Sequence, residues 1–273
     1  MKTFLELGVA EDFIQGLNEL GIQTPTEVQE KVIPFLLKDG GDLVAQAQTG
    51  TGKTAAFGLP LLASIDPEEK RIQAVVVAPT RELAKQIGKQ LFRYTKYSAK
   101  MFVEVLCGGD SIDRQISSLQ RPTHIVVVTP GRLIDLLKKK ALELTHVKHL
   151  VLDEADEMLS MGFKKELQQI FTQTRSRKST WLFSATIPDS IRELIKGCMP
   201  GNPHMIKVDK AHVVNRDIVH KYVVCTKDEK TQAIYDFLKR QRDQRGVIFC
   251  RTKEGSVILR KQLTKAGFAV DVI

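Results

Sequence analysis

The stretch Asp42–Thr54, DLVAQAQTGTGKT, has the residue types and spacing needed to hold a chain of phosphates. Leu43–Ala45 reads as a short apolar strand. Gln48, Thr49, Gly50, Thr51 and Gly52 form a glycine-rich turn, and Lys53-Thr54 opens a helix. Backbone N–H groups of such a turn point inward at an anion, and the helix adds its positive N-terminal end. Gly50 and Gly52 permit the tight curvature and close approach. Lys53 would reach the β- and γ-phosphates, and the Thr54 hydroxyl would ligate Mg²⁺. Ala47 stands where the general pattern has its first glycine, so the strict pattern is missed by one residue. A second signal is Val151–Asp156, VLDEAD. Apolar residues ending a strand would deliver Asp153 and Glu154 to a sheet's carboxyl edge, where open α/β sheets bind ligands. Asp153 would hold Mg²⁺ through water, and Glu154 would orient and deprotonate an attacking water. The plain alternative, an acidic surface turn capping the next helix, is weakened by the phosphate loop upstream.

The elements that must position these residues are legible as alternating patterns. Phe13, Leu17 and Leu20, then Val28, Val32, Phe35 and Leu36, recur at helical spacing within Ala10–Leu20 and Thr26–Lys38. Strands are expected at Ala74–Ala78, Phe102–Leu106, His124–Val128, His149–Leu152 and Thr180–Phe183. Helices are expected between them, over Glu82–Tyr94, Ser111–Leu119, Arg132–Lys139, Lys164–Gln173 and Ser190–Lys196. Near-continuous apolar strands separated by helices imply βα units and a parallel sheet covered on both faces. His204–Val208 closes this first domain, residues 1–208, and 209–217 reads as a polar linker. The alternation resumes in 218–273 with strands Val219–Cys225, Val247–Cys250 and Ala269–Ile273 around helices Glu229–Arg240 and Gly255–Ala266. The chain stops inside the last of these strands.

Of the formal net charge of +9, +7 falls in Met205–Ile273 and +2 in Met1–His204. Excess positive charge fits a polyanionic partner or simply a solvated basic face. Cys107, Cys198, Cys225 and Cys250 are never in C-x-x-C spacing and read as reduced core thiols of an intracellular protein. No apolar run approaches the length of a membrane span, and the N-terminus lacks a signal-peptide hydrophobic region.

With these residues in view, the chain closely resembles the DEAD-box RNA helicases, which have two RecA-like domains. Asp153–Asp156 spells the family's name, and Ala47–Thr54 (AQTGTGKT) matches its nucleotide motif, Ala47 included. Gly21–Gln29 (GIQTPTEVQ) resembles its adenine-reading motif, within an N-terminal segment 1–40. That likeness makes Gln29 the reader and Phe4 the aromatic that stacks on the base. Pro79–Ala84 (PTRELA), Gly108-Gly109 and Thr129–Arg132 (TPGR) resemble RNA-contacting elements, implying RNA-backbone roles for Pro79, Arg81, Gly108, Gly109, Thr129, Gly131 and Arg132. Ser184-Ala185-Thr186 resembles the motif that couples nucleotide state to RNA work, with Asp156 as its hydrogen-bonding partner. The chemistry of the residues agrees: a Gln amide both donates and accepts, as adenine N7 and N6–H require. Arginines beside backbone N–H groups bind phosphates without reading sequence.

The resemblance implies an α/β fold: a RecA-like parallel sheet with helices on both faces, followed by a partial second RecA-like domain. Val247–Lys253 (VIFCRTK) resembles that domain's first motif, although many members have Asn at Arg251. It further implies an ATP- and Mg²⁺-dependent, cytoplasmic, monomeric enzyme acting on RNA. The family's later arginine-bearing motifs lie beyond Ile273, so this chain is expected to bind nucleotide but not to unwind RNA alone. Two alternatives stay open: a DNA-directed motor of the same larger group, and a non-catalytic ATP- or RNA-binding clamp.

Overall fold

The computed structural model describes residues 2–38, 40–199, 201–208, 219, 221–226, 228–241 and 244–273. The chain divides into two compact units, Met1–Lys210 and Ala211–Ile273. The first unit begins with helices α1 (Glu11–Glu19) and α2 (Glu27–Lys38). It then alternates β1 (Leu43–Gln46), α3 (Lys53–Ala63), β2 (Ala74–Val77), α4 (Arg81–Tyr94), β3 (Val103–Leu106), α5 (Ile112–Ser118), β4 (Ile125–Val128) and α6 (Pro130–Lys138). β5 (His149–Leu152), α7 (Ala155–Ser160), α8 (Lys164–Gln173), β6 (Ser179–Ser184), α9 (Asp189–Cys198) and β7 (His204–Lys207) complete it.

All seven strands pair in parallel in the order β3-β4-β2-β5-β6-β1-β7. Successive residues of a strand point to opposite faces, and the cores divide accordingly. Leu43, Ala45, Val76, Val127, Val151, Trp181 and Phe183 join residues of α1–α4 in one core. Val44, Val75, Val77, Val126, Val128, Leu150, Leu152 and Leu182 join α6–α9 in the other, with Ile112 and Ile116 of α5 packed against it. A sheet buried on both faces requires runs such as Val75-Val76-Val77 with no polar alternation.

The parallel order puts every strand's carboxyl end on one edge and divides that edge in space. The ends of β5, β6 and β1 lie side by side, and so do those of β3, β4 and β2. In sequence the same segments are interleaved.

The second unit departs from expectation. Among its described residues there are two helices, α10 (Lys230–Arg240) and α11 (Lys253–Lys265), and no strand. Described residues of the expected strands Val219–Cys225, Val247–Cys250 and Ala269–Ile273 are unpaired, and their apolar side chains are open: Tyr222 is 89% and Phe249 93% exposed. Extended segments need hydrogen-bonding neighbours on a sheet before they count as strands. Two helices supply too little apolar cover: Leu263 is buried, and Tyr235 stacks on Phe268 with 6.3 Å between ring centroids. The expected linker 209–217 lies outside the described residues.

Candidate functional site

At the end of β1 the chain turns through Ala47–Gly52 into α3, with Gln48, Thr49 and Gly50 open to solvent. Gly52, at φ 90°, is the N-cap of α3, so the free N–H groups of the helix's first turn face the loop. A Cβ at this position would displace Gln29 Nε2, and the positive φ itself favours glycine. The loop is tied to the preceding segment by several bonds. Thr51 Oγ1 donates to Gln48 O at 2.7 Å, and Thr26 Oγ1 donates to Thr51 O at 2.8 Å. Gln29 Nε2 donates to Gly52 O at 3.0 Å, while its Oε1 accepts from Thr26 N at 3.0 Å. Gln29 therefore braces the phosphate loop directly. One N–H and one lone pair of its amide are left over.

Phe4 does not stand where a stacking residue was expected. It is 3% exposed and packs with Leu7 and Val9 in the helical core, its carbonyl accepting from Val9 N at 3.0 Å. Burying an aromatic ring here gains about 1.5–3 kcal/mol, and the enclosed ring offers no open face to a base.

Lys53 and Asp153, distant in sequence, meet at the ends of β1 and β5, with Nζ 3.9 Å from Oδ1 and both side chains buried. Lys53 Nζ makes no hydrogen bond. A buried ammonium with only a long ion pair is costly unless an anion completes it. Burial pushes the Asp153 carboxyl up to about 6; the nearby Lys53 opposes this and is outweighed, and Glu154 adds to the rise. Asp153 Oδ1 also accepts from Glu154 N at 3.0 Å. Glu154 itself sits at φ 53°, ψ 52°, the left-handed region, half-buried at the N-cap of α7. That conformation costs a non-glycine residue on the order of 1–3 kcal/mol and is concentrated at functional turns.

Thr54 and Asp153 are hard oxygen donors of the type Mg²⁺ takes. No cluster of three or more His, Cys, Asp or Glu able to cage a metal occurs among the described residues. A partial protein shell suits Mg²⁺, which keeps several waters and uses substrate phosphates as further ligands.

Within this half of the edge, hydrogen bonds through Asp156 join the ends of β5 and β6. Its Oδ2 accepts from Thr186 N at 2.9 Å and Thr186 Oγ1 at 2.7 Å, and its own N–H donates to Ser184 Oγ at 3.3 Å. Burial alone would raise this carboxyl, but the bonds from Thr186 and Ser184 outweigh it and hold it below the ordinary carboxylate range. Ser184 Oγ donates in turn to Thr186 O at 2.7 Å. Gln46 adds a tie that the sequence did not signal: its Nε2 donates to Ala185 O at 3.3 Å, because β1 and β6 are neighbours.

The other half of the edge gathers the ends of β2, β3 and β4. Thr80 caps α4 by accepting from Leu83 N, so buried Pro79 precedes a helix that opens with Arg81. Thr129 caps α6 and its Oγ1 accepts from Gly108 N at 3.4 Å; Gly131 follows in the first turn. The Arg81 guanidinium lies over the bare Cα of Gly109, at φ 83°, and pairs with Asp110 at 2.7 Å. Arg132 corrects an expectation. It is 9% exposed, with Nη1 donating to Gln115 Oε1 at 2.5 Å and Nη2 to Asp110 O at 3.0 Å. It braces the β3–α5 turn from inside, where an Arg can satisfy several fixed acceptors at once. Asp110 and Gln115, which organise both arginines, lie outside every motif singled out from sequence. The GGD run was the available signal for Asp110.

Residues 26–194 match the family described as DEAD/DEAH box helicase. The chain is 40% identical over 273 residues to the DEAD-box ATP-dependent RNA helicase CshA of Bacillus cereus, covering 100% of this chain and 51% of that protein. It is 42% identical over 271 residues to the RNA helicase CrhR of Synechocystis, covering 99% of this chain and 54% of the relative. The chain thus spans about half the length of the curated relatives it matches. Among solved structures, Saccharomyces cerevisiae Dbp5 bound to RNA and ADP BeF3 aligns at TM-score 0.86 and 29% identity, over 100% of this chain and 69% of that one. A DEAD box protein from Methanococcus jannaschii aligns at 0.72 and 36% identity, over 99% and 72%. With a RecA-like parallel sheet, a family model matched over residues 26–194 and relatives about 40% identical over the whole chain, the chain belongs to the DEAD/DEAH box helicase family.

Proposed function

We propose that the protein is an ATP-dependent RNA helicase of the DEAD-box type, monomeric and cytoplasmic, that separates short RNA duplexes locally. Residues 1–208 are its ATP-binding RecA-like domain, with 1–40 contributing adenine recognition. Residues 209–217 are a linker, and 218–273 belong to a second RecA-like domain. The observation that carries this reading is the buried Lys53 ammonium, without a hydrogen bond, 3.9 Å from buried Asp153 at the mouth of a glycine-capped helix. No helix among the described residues is long and apolar enough to cross a membrane.

Each residue's part follows from its position. The N–H groups of Gln48–Gly52 and the α3 terminus cradle the phosphates, and Lys53 completes its ion pairing on the β- and γ-oxygens. Gln29 uses its leftover donor and lone pair on the adenine edge. Thr54 and, through water, Asp153 would hold Mg²⁺, which would supply charge neutralisation for the phosphates. Glu154, held forward by its left-handed backbone, takes a proton from the attacking water. Arg81, with the turn at Gly108-Gly109 and the N–H groups of the α6 terminus, holds RNA backbone. Asp156, Ser184 and Thr186, bonded across the ends of β5 and β6, couple the nucleotide state to RNA work.

The test uses a protein containing both RecA-like domains. Glu154→Gln should bind nucleotide as wild type does and lose about 10²–10⁴-fold in hydrolysis, whereas Lys53→Ala should lose nucleotide binding. Hydrolysis by Glu154→Gln at the wild-type rate would remove Glu154 from its role.

A further inference from the structure

The surface that faces RNA in the reading above already contains an anion of its own. Asp110 follows Gly109 in the turn between β3 and α5, and both of its carboxylate oxygens are occupied by cations of α4. Arg81 Nη2 lies 2.7 Å from Oδ1 and Lys85 Nζ 3.4 Å from Oδ2. These cations stand four residues apart, so they share one face of the helix. The turn that carries the acid is fixed, because the Asp110 backbone carbonyl accepts from buried Arg132 at 3.0 Å. Arg81 and Asp110 are 41% and 39% exposed, open enough for an incoming anion to reach the guanidinium.

We propose that Asp110 is an intramolecular counter-anion that occupies Arg81 and Lys85 in the RNA-free protein and is exchanged for a backbone phosphate on binding. Because Arg81 faces phosphate only if the RNA reading holds, the role of Asp110 rests on that reading. Exposed ion pairs of this kind are each worth little, so the exchange is reversible, and the carboxylate lowers affinity without blocking the site. Lys85, in no motif, becomes a second RNA contact once released. Neutralising Asp110 while keeping its shape should raise RNA affinity and increase the number of counterions displaced from RNA.

The experiment titrates a labelled single-stranded oligouridylate with the 273-residue chain, by fluorescence anisotropy over a series of salt concentrations. Asp110→Asn keeps an acceptor for Arg81 and loses the charge. It should bind about three- to tenfold tighter at low salt, with the log–log salt slope steeper by about 0.7, because the wild-type carboxylate offsets one of the two cations that displace counterions. Asp110→Glu should stay near wild type. If Asp110→Asn binds no tighter and its slope is unchanged while Arg81→Ala still weakens binding, the counter-anion role is wrong and the RNA reading stands. If Arg81→Ala leaves affinity and slope unchanged as well, the RNA reading of this surface falls, and the role of Asp110 with it.

Discussion

Two buried groups at opposite ends of β5 should impose opposing pH dependences on stability, and single substitutions should unmask each. At the amino end, the His149 ring lies 4.9 Å from the Trp181 ring, with Nδ1 2.8 Å from Ser179 Oγ. Burial, assisted by Lys178 and Lys148, lowers its pKa from 6.5 to about 4. At the carboxyl end, burial raises Asp153 from 3.8 to about 6. As pH falls from 6.5 to 4, the unfolded chain protonates at His149 before the folded one, so stability is lost. Over nearly the same window the folded chain protonates at Asp153 before the unfolded one, so stability is gained. At about 1.4 kcal/mol per pH unit, each effect amounts to about 3 kcal/mol, and the two nearly cancel. Asp153→Asn should therefore lose about 3 kcal/mol relative to wild type on acidification across this window, and His149→Phe should gain about as much. The assay is urea unfolding followed by far-ultraviolet circular dichroism, without nucleotide or Mg²⁺, at a series of pH values. Curves for either variant that run parallel to wild type would refute the burial-driven shift at that residue.

Gln29→Ala should remove the loop-bracing bond to Gly52 O and the local bond from Thr26 N, lower stability by about 1–3 kcal/mol, and flatten a preference for ATP over GTP; equal affinities for the two nucleotides in the unsubstituted chain would end its assignment as adenine reader. Asp156→Asn should cost about 1.5–3 kcal/mol at neutral pH through its bonds to Thr186, and the difference should vanish below the lowered carboxyl pKa, where wild type is protonated too; a pH-independent difference would rule out charge as the cause. Because α10 and α11 share little buried surface, their amides should exchange with solvent far faster than those of β1, β5 and β6 in hydrogen-exchange mass spectrometry; equal protection in the two units would contradict the exposure of Tyr222 and Phe249. With no second packed RecA-like sheet among its described residues, the 273-residue chain should bind ATP yet separate a short RNA duplex much more slowly than a two-domain protein, as a strand-displacement assay would report.

What the sequence determined by itself was local or periodic. The turn at Gly50–Gly52 was legible because positive φ strongly favours glycine. The central strands β2 and β4 were legible because a parallel sheet buried on both faces leaves uninterrupted β-branched runs such as Val75-Val76-Val77 and Ile125–Val128. Spacing within a motif likewise put Lys53 and Thr54 on the first turn of one helix. Only the tertiary structure decided which motifs stand side by side. The order β3-β4-β2-β5-β6-β1-β7 sorts interleaved segments into a Lys53–Asp153 half and an Arg81–Asp110 half, and no local pattern encodes a strand's neighbour. Burial was decided there too. Arg132 turned inward because Gln115 and the Asp110 carbonyl offered fixed acceptors, and Phe4 sank into the core because its own N-terminal segment folds back over α1 and α2. In the second unit, apolar alternation at Val219–Cys225 and Val247–Cys250 suggested strands, yet a strand exists through hydrogen bonds to a neighbour. Those bonds belong to the assembled sheet, and a one-dimensional pattern of side chains can invite them without supplying them.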